Sequence, residues 1–242
     1  MMLAAPTASG TKGLSHHAGP NPGIVATVFM VLFIAGLVPV TLLVGPTHFP
    51  APTASTEEIL AYFRSESGRV RLCGFLQFGS SIPLGIFAAA MASRLRFLGV
   101  EAAGPMIALF GGLAASTAVA AAAIAVWALG QPAVAENAAT VLGLYFAGFG
   151  IGGPGYSVPL GLLIAGISVP ALILRLLPRW LCVSGLVLAA VGELSTLSLM
   201  FPAAIPLVPL TRFPGFIWLI LAGFRLPSSR PGRDSGMGGI QT

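Results

Sequence analysis

The chain has 242 residues, of which 56% are hydrophobic and only 8% charged. Its mean hydropathy is +0.93. Soluble domains carry about 25% charged residues, so a soluble fold is excluded. The net charge of +5 is spread over the ends of apolar runs and forms no basic patch, which speaks against a nucleic-acid partner. The partner that this composition implies is a lipid bilayer. There is room for about six spanning helices of roughly 20 residues each, and none for a second soluble domain. Arginine outnumbers lysine eleven to one, which points to a GC-rich bacterial genome.

Residues 1–22 are rich in Ala, Gly, Pro, Ser and Thr and are expected to be a disordered tail. His16 and His17 are adjacent there, but two ligands on a loose tail make a poor metal site. The apolar run that follows is too long for a signal-peptide core. No clear small-residue cleavage site ends it, so it reads as an uncleaved first span.

Span 1 runs from Gly23 to Val44, with Pro39 in its last third as a kink site. The loop GPTHFPAPTAS holds His48, read as a solvated residue. Next, Ser55 and Glu58 have the spacing of a capping box. Ile59, Tyr62 and Phe63 share one helical face, and Gly68 is the expected stop. This is a short extracytoplasmic amphipathic helix, lying at the interface or on the end of the bundle.

Span 2, Val70 to Ala92, contains Gln77, Ser80, Ser81 and Pro83. The serines are expected to face other helices, and Gln77 is a candidate pore or site residue. Span 3, Pro105 to Leu129, has a middle of small residues that lets neighbouring helices approach closely.

Span 4 is the stretch from Ala138 to Leu177. It is apolar throughout but interrupted by GIGGPGYSVP. The expectation is a short helix from Ala138 to Gly150, a break, and a second helix from Tyr156 to Leu176. The alternatives are one kinked helix, or a first half that is interfacial or re-entrant. Broken helices at membrane depth free backbone groups that must be buried in protein or line a cavity. Span 5, Leu181 to Phe201, carries Glu193 near its middle. Span 6, Pro206 to Phe224, carries Arg212, Pro214 and Trp218. Residues 227–242 are a second polar tail, expected to be disordered. The bundle from 23 to 226 is therefore an all-α, six-span membrane domain with a Gly/Pro-broken fourth span.

With both termini on one face, that face holds eight of the basic residues and the other holds four, Arg212 included. The positive-inside rule then places both termini in the cytoplasm of a bacterial inner membrane.

A carboxylate at mid-span is costly and is neutral, paired or facing a cavity. Arg212, early in the next span, is the expected partner of Glu193. In one reading Glu193 lines a cavity with Gln77, Tyr156 and the helix break, as in transporters with broken midplane helices. In the other, the Glu193–Arg212 pair only fixes helix register. Cys73 and Cys182 read as small apolar fillers. There is no phosphate loop, no metal-ligand cluster, no Ser/His/Asp set and no paired intramembrane Asp, so neither an enzyme nor a cofactor is expected.

The runs TEEILAYFRSESGRVRLCGFLQF, RLR, LLPRWLCVSGLVLAA and LTRFPGFIWLILAGFRL resemble a domain-of-unknown-function family of small six-span bacterial membrane proteins. The resemblance covers about Ile24 to Leu226 and implies topology only. It favours a structural role for Arg212 and Trp218 and supplies no catalytic residue. Two functional classes follow. One is a small transporter or channel-like protein with its site near Glu193 and the 150–157 break. The other is a structural or accessory protein that packs against a membrane partner or a second copy.

Overall fold

A computed structural model describes residues 14–43 and 48–231. Six helical spans are long and apolar enough to cross a membrane, and the fold is an all-α helical bundle. Helix α1 (Pro22–Thr41) starts where Asn21 accepts from the Gly23 amide and Pro22 opens the first turn. Pro is tolerated there because its missing N–H would have no helical partner.

Helix α2 (Thr56–Ser65) has the capping box expected of Ser55 and Glu58, and Ile59, Tyr62 and Phe63 are buried. Gly68 is not its stop. The bend falls at Glu66, and α3 (Ser67–Phe97) restarts at the next residue, with Gly68 inside it. The Glu66 amide still donates to Tyr62 O while its carbonyl already accepts from Val70, so one residue serves both helices.

Helix α4 (Gly104–Leu129) packs against α3 on one side. On others it packs against α6 (Ala138–Gly152) and α7 (Pro154–Ile173), with α5 (Pro132–Ala135) in the turn before α6. Small residues make this contact close. A Cβ on Gly111 would lie 2.5 Å from the Leu163 amide nitrogen, and one on Gly166 would lie 2.5 Å from that of Ala108. Ser80 and Ser81 are buried as expected, and Ser116 Oγ of α4 donates to the Ser81 carbonyl.

The chain returns through α8 (Arg179–Leu194), two short 3₁₀ turns (Ser195–Leu199 and Pro202–Ala204) and α9 (Leu207–Arg225). The tails are not wholly disordered. Strand β1 (Leu14–His16) pairs antiparallel with β2 (Ser229–Pro231). The His17 amide adds a bond to Ser228 O, and Arg94 Nη1 donates to Leu226 O. This ribbon puts both ends of the described chain on one face of the bundle, called here the terminal face. Residues 1–13 and 232–242 lie outside the described residues.

Two cores result. The larger fills the bundle around Phe29, Phe87, Tyr156, Leu160 and Phe216. The smaller sits at the opposite face, where α2 lays Ile59, Tyr62 and Phe63 against Tyr145 and Leu129.

Candidate functional site

The fourth span breaks at Gly153, between α6 and α7. Pro154 has no N–H to give to the Gly150 carbonyl, and the Tyr156 amide turns to Gly153 O. The Gly152 carbonyl therefore loses its helical partner. A Cβ at Gly153 would stand 2.6 Å from Phe149 O, which explains why the junction takes glycine.

Arg212 of α9 supplies the missing donor: its Nη2 donates to Gly152 O. A cation at a helix C-terminus also meets the negative end of the helix dipole. The guanidinium is held between two rings, with Cζ 5.4 Å from the centroid of Phe33 and 5.2 Å from that of Tyr156. It has no carboxylate partner. Among the described residues the one ion pair is Arg69–Glu66, and Arg212 Nε is buried without an acceptor.

Arg212 stands at the deep end of a cavity of about 280 Å³. Phe33 and Leu37 of α1, Cys73 and Gln77 of α3, and Ala122 and Val126 of α4 form its walls. Phe149 and Gly152 of α6 add to them, and Phe49, Pro50 and Pro52 form a roof at the opposite face. Tyr145 Oη donates to Pro50 O across that roof. Phe33, which lines the cavity, packs edge to face on Phe29 and Phe216 of the larger core. Helix α6 packs on α2, α4, α5 and α7 but not closely on α1 or α9. Between α6 and α9 the link is a side chain: Arg212 reaches across to Gly152 O. Gln77 folds over Gly36, whose missing side chain leaves it room.

Three of the four expected site residues therefore meet: Gln77 and Arg212 line the cavity, and Tyr156 lies buried against Arg212 with its hydroxyl unpartnered. Glu193 does not join them. It is exposed in the last turn of α8 and makes no ion pair, so the expected Glu193–Arg212 pair is not formed. The reason is rotational phase. Gly192 faces inward, where a Cβ would lie 2.7 Å from Ser157 O and 3.3 Å from Thr211 Cγ2. Glu193 is one residue further on, about 100° round the helix, and points out of the bundle. Arg212 is likewise one residue past the inward Thr211 and turns away from α8. Adjacent helices were not enough; both side chains lie off the shared face. The inward stripe Gly185, Ala189, Gly192 could have flagged this, since Glu193 falls outside it.

Sequence reasoning did not anticipate the roof. Phe49 packs edge to face on Tyr62 and Phe63, but a loop aromatic has no periodicity to announce its partner. Cys73 and Cys182 are both free and buried. Among the described residues no group of three or more His, Cys, Asp or Glu could hold a metal. His17 instead bonds Ser93 Oγ at 2.9 Å, and His48 is exposed.

Six apolar helical spans around this site define a multi-pass membrane protein. Comparison of the chain with family models, curated proteins and solved structures found no match.

Proposed function

We propose that the protein is a small transporter or channel-like membrane protein whose site is the cavity beside the fourth-span break, rather than Glu193. The observation that carries this reading is Arg212, a cation with no ion-pair partner among the described residues, lining a mostly apolar cavity. Charged residues inside membranes are costly and mark ligand or ion pathways, and broken helices recur at transporter sites. Among the described residues Arg94, Arg96, Arg175, Arg179, Arg225 and Arg230 lie toward the terminal face and Arg64, Arg69 and Arg71 toward the other, which favours cytoplasmic termini in a bacterial inner membrane. The cavity roof then faces outward.

The test is to fill the cavity. Val126→Trp should leave the protein folded and abolish any thermal stabilisation that a panel of anionic, cationic and neutral solutes gives the wild type. If no solute stabilises the wild type and Val126→Trp simply raises the melting temperature, the space is a packing defect and this reading fails.

One observation favours the accessory reading. Glu193 is exposed, flanked by the exposed apolar residues Val187, Leu194 and Leu197. A lipid-facing carboxylate costs about 2.5–3.5 kcal/mol on insertion scales, a cost that a covering membrane partner would relieve.

A further inference from the structure

We infer that the cavity takes an organic monoanion with an apolar body, its carboxylate-like group on Arg212 and its body along α4 and α6. The inference rests on the proposed reading of the cavity as a ligand site and names the ligand class. Arg212 spends one N–H on Gly152 O and has no carboxylate partner among the described residues. A guanidinium offers five donors in a planar fork that matches a carboxylate. The single positive charge selects one negative charge.

A second polar group in the same lining is Gln77, for whose side-chain amide no hydrogen bond is found among the described residues. The rest of the lining is almost wholly apolar: Ala122, Val126 and Phe149 offer no further polar partner. An inorganic anion would therefore leave most of the space filled by nothing. A neutral hydrocarbon would leave the Arg212 charge unanswered. At about 280 Å³ the cavity is just smaller than typical small-molecule pockets, which run about 300–1,000 Å³. That excludes a whole two-chain phospholipid but suits a medium-chain carboxylic acid.

The test is equilibrium dialysis of radiolabelled octanoate against the purified full-length chain in maltoside micelles, with empty micelles as blank. Octanol supplies the body without the charge, and acetate the charge without the body. Saturable binding of one octanoate per chain is expected, with octanol and acetate each displacing it at least tenfold more weakly than unlabelled octanoate. Arg212→Gln should erase the preference for octanoate over octanol, and Arg212→Lys should keep it in weakened form. If Arg212→Gln does not fold, the wild-type series and Arg212→Lys decide. Displacement by octanol as good as by octanoate would overturn the monoanion while leaving the cavity as a ligand site. Absence of binding by any of the three would overturn both. Binding unaffected by Val126→Trp would place the octanoate elsewhere and overturn the inference as well.

Discussion

Arg212 and two tyrosines show how single polar groups are settled in this bundle. Arg212 completes a backbone bond that the Gly153–Pro154 junction removes, so its charge is tied to the break by structure whatever the cavity holds. Tyr145 and Tyr62 are both buried under the opposite-face roof, but only Tyr145 has an acceptor, Pro50 O at 2.8 Å. The Tyr62 hydroxyl is buried with none. A hydrogen bond adds about 0.5–1.5 kcal/mol net, whereas removing an unpaired hydroxyl costs little. Tyr145→Phe should therefore destabilise by about 1 kcal/mol and Tyr62→Phe by less than half of that, read from unfolding in mild detergent.

The same burial sets a pH dependence for Tyr62. Its phenol is pushed above its ordinary pKa, first by burial and then by the nearby Glu66 carboxylate. Below pH 10 the phenol is protonated in both states and nothing changes. Above that pH the unfolded phenol releases its proton while the folded one holds it, so stability falls as pH rises. Tyr62→Phe should blunt that alkaline loss. An identical alkaline slope in the variant would contradict the account.

Among the elements, α4 and α7 depend on glycines for their close approach. Gly111→Ala and Gly166→Ala put a methyl group into backbone atoms 2.5 Å away, and each should lower the melting temperature sharply or prevent folding. Gly143, with nothing within 4 Å of its added Cβ, is the control. Alanine there should be neutral or stabilising by up to about 1 kcal/mol, its helix-propensity gain over glycine. Equal effects at all three would mean that α4 and α7 are not in backbone contact.

These elements also show what a sequence can announce. Apolar runs of spanning length, the capping residues Ser55 and Glu58, and the Gly-Gly-Pro interruption are local signals, and each appears where it was read. Gly68 misled because glycine marks a helix end only where the backbone must turn left-handed. Here the turn falls at Glu66, whose φ is −110°. The β1–β2 ribbon has no local signal at all: its two strands come from opposite ends of the chain and meet only because an even number of spans brings them to one face. Glu193 stood out by chemistry, yet its partner depended on an angle round the helix that charge alone does not reveal. Arg212 and Gln77 were found by polarity, and their meeting in one cavity needed the fold.

Over the whole molecule, the larger core fills the bundle around Phe29, Phe87 and Phe216, and the cavity lies between it and the smaller core at the opposite face. The hollow lies where α6 ends at Gly152 and α7 continues the span, with α1, α3, α4 and α9 completing its walls. The central claim is that this hollow, and not the surface around Glu193, is the water-accessible site at depth. It is tested most directly by placing single cysteines at Gln77 and at Glu193 in a background with Cys73 and Cys182 replaced by serine. Each variant is then treated with a membrane-impermeant, polar thiol reagent in sealed vesicles. The account predicts rapid labelling of the Gln77→Cys protein from the face opposite the termini, and slow or no labelling of the Glu193→Cys protein from either side. Rapid labelling at position 193 with none at 77 would contradict it and move the site to the outer face of α8.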